Sequence, residues 1–106
     1  MSRTDRVMQL LGLARRAGGV ATGTEAVRDA VRGGHARLVL LAGDASPVQR
    51  EKVEKALSRR ATPWAMLGDR ASLGSAVGRS PLSAVAVTNA SLAEKVVAEL
   101  GELVEG

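Results

Sequence analysis

The chain has 106 residues and a formal net charge of +4, with no cysteine, one histidine, a single Trp and neither Phe nor Tyr. That is enough for one domain with a modest core. It excludes disulfides, thiolate metal sites, a cysteine nucleophile and the usual histidine-rich zinc site, and it weakens a reading that needs base-stacking platforms of the RRM or OB type.

No apolar run reaches membrane-spanning length, and Met1 to Gln9 is too polar for a signal peptide, so a cytosolic protein without membrane contact is expected. Ser2 or Thr4 caps a first helix whose apolar face is Val7, Leu10, Leu11 and Ala14. Arg15 and Arg16 close its last turn, where the helix dipole favours cations, and Gly18-Gly19 stops it. Val20 to Thr22 reads as a short strand. A second helix follows from Thr24 to Arg32, stopped by Gly33-Gly34. Its apolar positions, Ala26, Val27, Ala30 and Val31, are spaced i, i+1, i+4, i+5, and Glu25, Arg28, Asp29 and Arg32 occupy the other face.

Leu38 to Ala42 is apolar without alternation, as a strand covered on both faces should be. Ser46 and Pro47, with Gln49 three residues after the cap, open a third helix. It buries Val53, Ala56 and Leu57. Arg50, Glu51, Lys52, Glu54, Lys55 and Arg59 read as a solvated face. Thr62 to Leu67 is a strand with its proline at the start, where it breaks no ladder. Asp69 caps a short helix, and Gly78 to Pro81 forms a loop. Ser83 to Thr88 is a β-branched strand. Asn89 or Ser91 caps the last helix, with Ser91 and Glu94 as a capping box and Val96, Val97 and Leu100 inward. The tail carrying Glu102 and Glu105 is expected to fray. Alternation of helices and strands predicts one sheet between two helical layers.

The charge is uneven: seven arginines face three acids up to Arg37, whereas eight basic and eight acidic residues follow. Twelve of the 15 basic residues are Arg, which forks onto phosphates and base edges. A GC-rich coding sequence gives the same bias, so composition does not decide between the two. The glycine turn at Gly23 adds a specific feature. A glycine opening a helix leaves backbone N–H groups unpaired at the positive end of a dipole, which suits a phosphate.

Three blocks, LLGLARRAGGVATGTEAV, RGGHARLVLLAGDASP and LGSAVGRSP, resemble the kink-turn RNA-binding ribosomal proteins of the large-subunit seven-Ae type, nearest their short bacterial YlxQ-type members. The resemblance covers nearly the whole chain. It implies an α/β fold, a three-layer α-β-α sandwich around a mostly four-stranded mixed sheet. It also implies a non-enzymatic protein that binds structured RNA, ribosomal RNA included, through Gly23, the helix after it and the loop from Arg79 to Leu82. The family signature is Gly, any residue, Asn, Glu, two residues, then Lys. Aligned on Gly23 without gaps, Glu25, Ala26 and Asp29 stand at the Asn, Glu and Lys. A register shifted by one places Thr24, Glu25 and Arg28 there instead. The ungapped register keeps the spacing to the strand at Leu38.

The candidate RNA-binding residues are therefore Gly23, Thr24, Glu25, Arg28, Arg32, Arg79, Ser80 and Leu82. No cofactor or metal is expected, and the chain is read as a monomer. A protein-interaction or ribosome-assembly module on the same fold is the alternative, with an apolar interface near Leu82 and the last helix. His35 reads as a surface residue, Asp44 as a turn or helix-entry residue, and Trp64 as core. Gly18 and Gly23 have P-loop spacing, but Thr24 stands where the lysine is required, so nucleotide hydrolysis is discarded.

Overall fold

A computed structural model describes residues 1–106. Five helices and four strands alternate: α1 (Arg3–Arg16), β1 (Val20–Thr22), α2 (Thr24–Arg32), β2 (Leu38–Leu41), α3 (Pro47–Leu57), β3 (Trp64–Met66), α4 (Arg70–Ala76), β4 (Ala84–Val87) and α5 (Ala90–Leu100). The sheet order is β1-β4-β2-β3. β4 runs antiparallel to both neighbours, with Val20 opposite Val87 and Leu38 opposite the same Val87. β2 and β3 are parallel, so the sheet is mixed, as expected.

The unbroken apolar runs have a direct cause. Every residue of β2 and β4 is buried. Leu38, Leu40, Val85 and Val87 face the layer of α1, α4 and α5, while Val39, Leu41, Ala84 and Ala86 face α2 and α3. Successive side chains on a strand point to opposite faces, so covering both faces removes the polar positions. A fully buried leucine such as Leu40 contributes roughly 1.5–3 kcal/mol by leaving water.

Four helix starts are capped by side chains. Ser2 accepts from the Asp5 N–H and the Asp5 carboxylate accepts in return, forming a capping box. Ser46 accepts from the Gln49 N–H. Asp69 and Ser72 form a second box. Asn89, rather than Ser91, caps α5 by accepting from the Leu92 N–H at 2.9 Å, so the Ser91–Glu94 box does not form. β1 spans the expected Val20 to Thr22, whereas β2, β3 and β4 are one to three residues shorter than the runs that announced them.

Three further expectations need correction. Ala26 is exposed, and Thr24 takes the inward place beside Val27, Ala30 and Val31. Trp64 is half-buried at the sheet edge and packs against the α2–α3 core from outside it. The tail does not fray. Glu105 forms an antiparallel bridge with Trp64, its N–H donating at 2.7 Å and its carbonyl accepting at 2.9 Å. This pairing covers the open edge of β3 that faces away from β2. Ending the chain at Leu103 removes both bonds, each contributing about 0.5–1.5 kcal/mol. We expect a lower Tm and a red-shifted emission from Trp64, the only tryptophan; an unchanged Tm and spectrum would show the bridge to be dispensable.

Candidate nucleic-acid interface

The chain turns from β1 into α2 at Gly23, with φ of +95°, a region that L side chains rarely adopt. Its N–H donates to the Ala84 carbonyl at 3.0 Å, which fixes the turn to the start of β4. Gly23 offers no side-chain cap, so α2 is the one α-helix here whose first turn has no side-chain cap. The N–H groups of such a turn have no intrahelical acceptor. They carry the positive end of the dipole, which favours anions.

The second loop lies beside this turn. Arg79 Nη1 donates to Thr22 Oγ1 at 3.0 Å, joining residues 57 apart in sequence. One of five guanidinium donors is used there. Leu82 places Cδ2 at 3.9 Å from where a Gly23 Cβ would stand, while also packing on the core under α1, α4 and α5. Ser80 and Pro81 are exposed at the crest. Gly23, Thr24, Arg79, Ser80 and Leu82 are thus gathered at one pole. Arg15 joins them, because its guanidinium lies within 3.2 Å of the Cβ position of Gly78, next to Arg79.

What holds the loop is less visible in sequence. Asp69 caps α4, and its carboxyl is held below the usual 3.8 chiefly by the Ser72 N–H and then by the Ser72 hydroxyl. Asp44 accepts from the Arg70 N–H at 2.8 Å, so its role is helix entry. The Arg70 carbonyl accepts from the Leu82 N–H at 3.0 Å. Gly74 is buried in α4, and a Cβ on it would stand 2.2 Å from the Ser80 carbonyl oxygen. The pattern LGSAVG carried this glycine, but only the packing reveals its purpose.

The remaining candidates lie elsewhere on α2. Glu25 is exposed, and its carboxylate is held by Arg28 Nη1 at 2.9 Å and Lys52 Nζ at 3.8 Å. Arg28 is four-fifths covered and turns toward α3, away from Arg79. Arg32 is exposed at the far end of the helix, beside Asp29 at 4.0 Å. The expectation of one surface joining Gly23, Arg28 and Arg79 therefore divides in two: a pole at the start of α2, and a basic flank along α3. His35 is exposed. No group of three or more His, Asp or Glu side chains is placed to hold a metal ion, and no helix is long and apolar enough to cross a membrane. The exposed large hydrophobics are Met1, Leu13, Val48, Met66 and Leu103, so the apolar patch expected around Leu82 is largely drawn into the core.

The model of the ribosomal protein L7Ae/L30e/S12e/Gadd45 family matches residues 5–97. The chain belongs to this family. Both the Gly23 turn and the Arg79 loop fall inside the matched region. The RNA-binding protein YlxQ of Bacillus subtilis (strain 168) is 37% identical over 91 residues, which is 86% of this chain and 91% of that relative. A solved structure of a protein with unknown function from Bacillus halodurans C superposes with a TM-score of 0.83 at 33% identity, covering 91% of this chain and 97% of that one. The Giardia lamblia 15.5kD RNA binding protein shares the fold, with a TM-score of 0.78 at 23% identity over 95% of this chain and 87% of that one.

Gly74→Ala separates two opposed effects. Alanine is favoured over glycine within a helix by roughly 1 kcal/mol. Contact with backbone at 2.2 Å forces α4 and the loop apart, and such overpacking costs about 1–3 kcal/mol. We expect a lower Tm and shifted amide signals at Arg79 and Ser80. A rise in Tm with the loop signals unmoved would show that the loop does not rest on Gly74.

Proposed function

We propose that this protein is a non-enzymatic RNA-binding protein of ribosomal type, cytoplasmic and monomeric, that takes a sharply bent, kink-turn-like RNA. Its single folded domain presents the pole formed by Gly23, Thr24, Arg79, Ser80 and Leu82. The hydrogen bond from Arg79 to Thr22 is the observation that carries this reading. It brings a second loop against an uncapped helix start, so cationic donors and open N–H groups meet at one place. Membership of the family and the likeness to a relative named as an RNA-binding protein support the choice of ligand.

The work divides by chemistry. The first turn of α2 receives a phosphate or base edge through its backbone. Arg79 adds a charged fork with four donors to spare. Leu82 supplies an apolar shoulder beneath Gly23. Glu25 is neutralised by Arg28 and Lys52, so the acid nearest the helix start repels a phosphate less than a free carboxylate would. Asp29 is exposed and weakly paired, and it lowers the affinity for a standard kink-turn relative to a lysine there.

A titration against kink-turn, duplex and single-stranded RNA at two salt concentrations tests the proposal. We expect the kink-turn RNA to bind best and its affinity to fall steeply with salt. Arg79→Ala should weaken it about tenfold and flatten the salt slope by about 1. Arg79 is exposed, so the Tm should hold. Binding that is absent, salt-insensitive or indifferent to Arg79→Ala would refute it.

A further inference from the structure

The groove between α2 and α3 carries its own chemistry. Arg28 and Arg32, one turn apart on α2, stand across from Lys55 on α3 and Arg59 in the turn after it. With Ala56 at its base, these side chains enclose a cleft of about 160 Å³ that has four cations and no carboxylate in its lining. A water molecule takes up about 30 Å³ in the liquid, so the cleft has room for a phosphate group and its remaining hydration.

The nearby acids cancel only part of this charge. Glu25 pairs with Arg28 at 2.9 Å, which leaves the charges of Arg32, Lys55 and Arg59 on the cleft. Asp29 and Glu51 stand 4.0 and 3.9 Å from Arg32 and Lys55, with all four side chains more than half exposed. Such contacts contribute little in water. Arg59 takes part in no ion pair at all. Arg28 Nε is shut off from solvent and donates to nothing in the protein. An unmet buried donor is costly, and like charges held around one cleft repel each other. An anion in the cleft relieves the repulsion. Arg60 reinforces this end, with Nη2 donating to the Arg32 carbonyl at 2.6 Å.

We propose that the α2–α3 cleft is a phosphate-binding site. The face that reads in sequence as plain solvated charge is thus a second anion site, distinct from the Gly23–Arg79 pole. Arg32 lies roughly 13 Å along the helix axis from Gly23 at 1.5 Å per residue. A stem that leaves the pole along α2 therefore passes the cleft within a few phosphates. This assignment of the source rests on the proposed RNA reading, whereas the phosphate chemistry does not.

Two measurements on the whole protein test it. The first follows the Arg28 Nε–H signal by NMR during titration with inorganic pyrophosphate. We expect a saturable shift, weakened at least tenfold in the Lys55→Gln/Arg59→Gln double variant at unchanged Tm, since both side chains are exposed. The second follows kink-turn RNA affinity against salt. Here the double variant should flatten the slope by up to about 2. Both effects together place an RNA backbone phosphate in the cleft. A pyrophosphate response with an unchanged RNA slope supports a phosphate site that serves free oligophosphates. Pyrophosphate response without any RNA binding leaves the cleft standing and removes the pole. RNA binding with no pyrophosphate response and an unchanged slope overturns the cleft and leaves the pole.

Discussion

Strand β4 is the constraint on which the rest depends. It is bonded along both edges and buried on both faces, so it has nowhere to move. Its first residue receives the Gly23 N–H, and the loop of Arg79 to Leu82 runs directly into it. Two segments far apart in sequence therefore meet because they share one rigid anchor. Interiors packed this closely transmit small displacements, so the loop inherits the precision of the sheet.

Charge is arranged on top of that frame. Apart from Arg28–Glu25, the ion pairs on α2 and α3 are exposed and add little to stability. Their consequence is local: Glu25 is absorbed by two cations, and the cations further along the helix are left facing one another. The first region offers oriented backbone N–H groups at a helix start, the second a set of side-chain cations. A polyanion that touches both would gain contacts along the length of α2.

Much of the fold was legible in the residues themselves. The unbroken run at Leu38 announced a strand covered on both sides, the β-branched run at Ser83 to Thr88 announced a strand, and Ser46-Pro47 announced a helix start. The pole was legible through Gly23 and the glycines around Arg79, with the family resemblance supplying the link between them. The rest depends on tertiary placement. Nothing local tells Asn89 from Ser91 as a cap, since both offer a side-chain oxygen. Ala26 lies outside and Thr24 inside because a short helix leaves its rotation to packing. The pairing of Glu105 with Trp64 rests on an edge whose vacancy only the strand order discloses. The direction of Arg28 follows from where α3 lies, which periodicity along α2 does not contain.

The most direct measurement is a map of backbone amide shifts on adding a kink-turn RNA to the isotopically labelled protein. Gly23 to Ala26 and Arg79 to Leu82 should move together as one contiguous patch, while α1 and α5 remain still apart from the neighbourhood of Arg15. Shifts confined to one of the two segments, or centred on the outer face of α5, would contradict this.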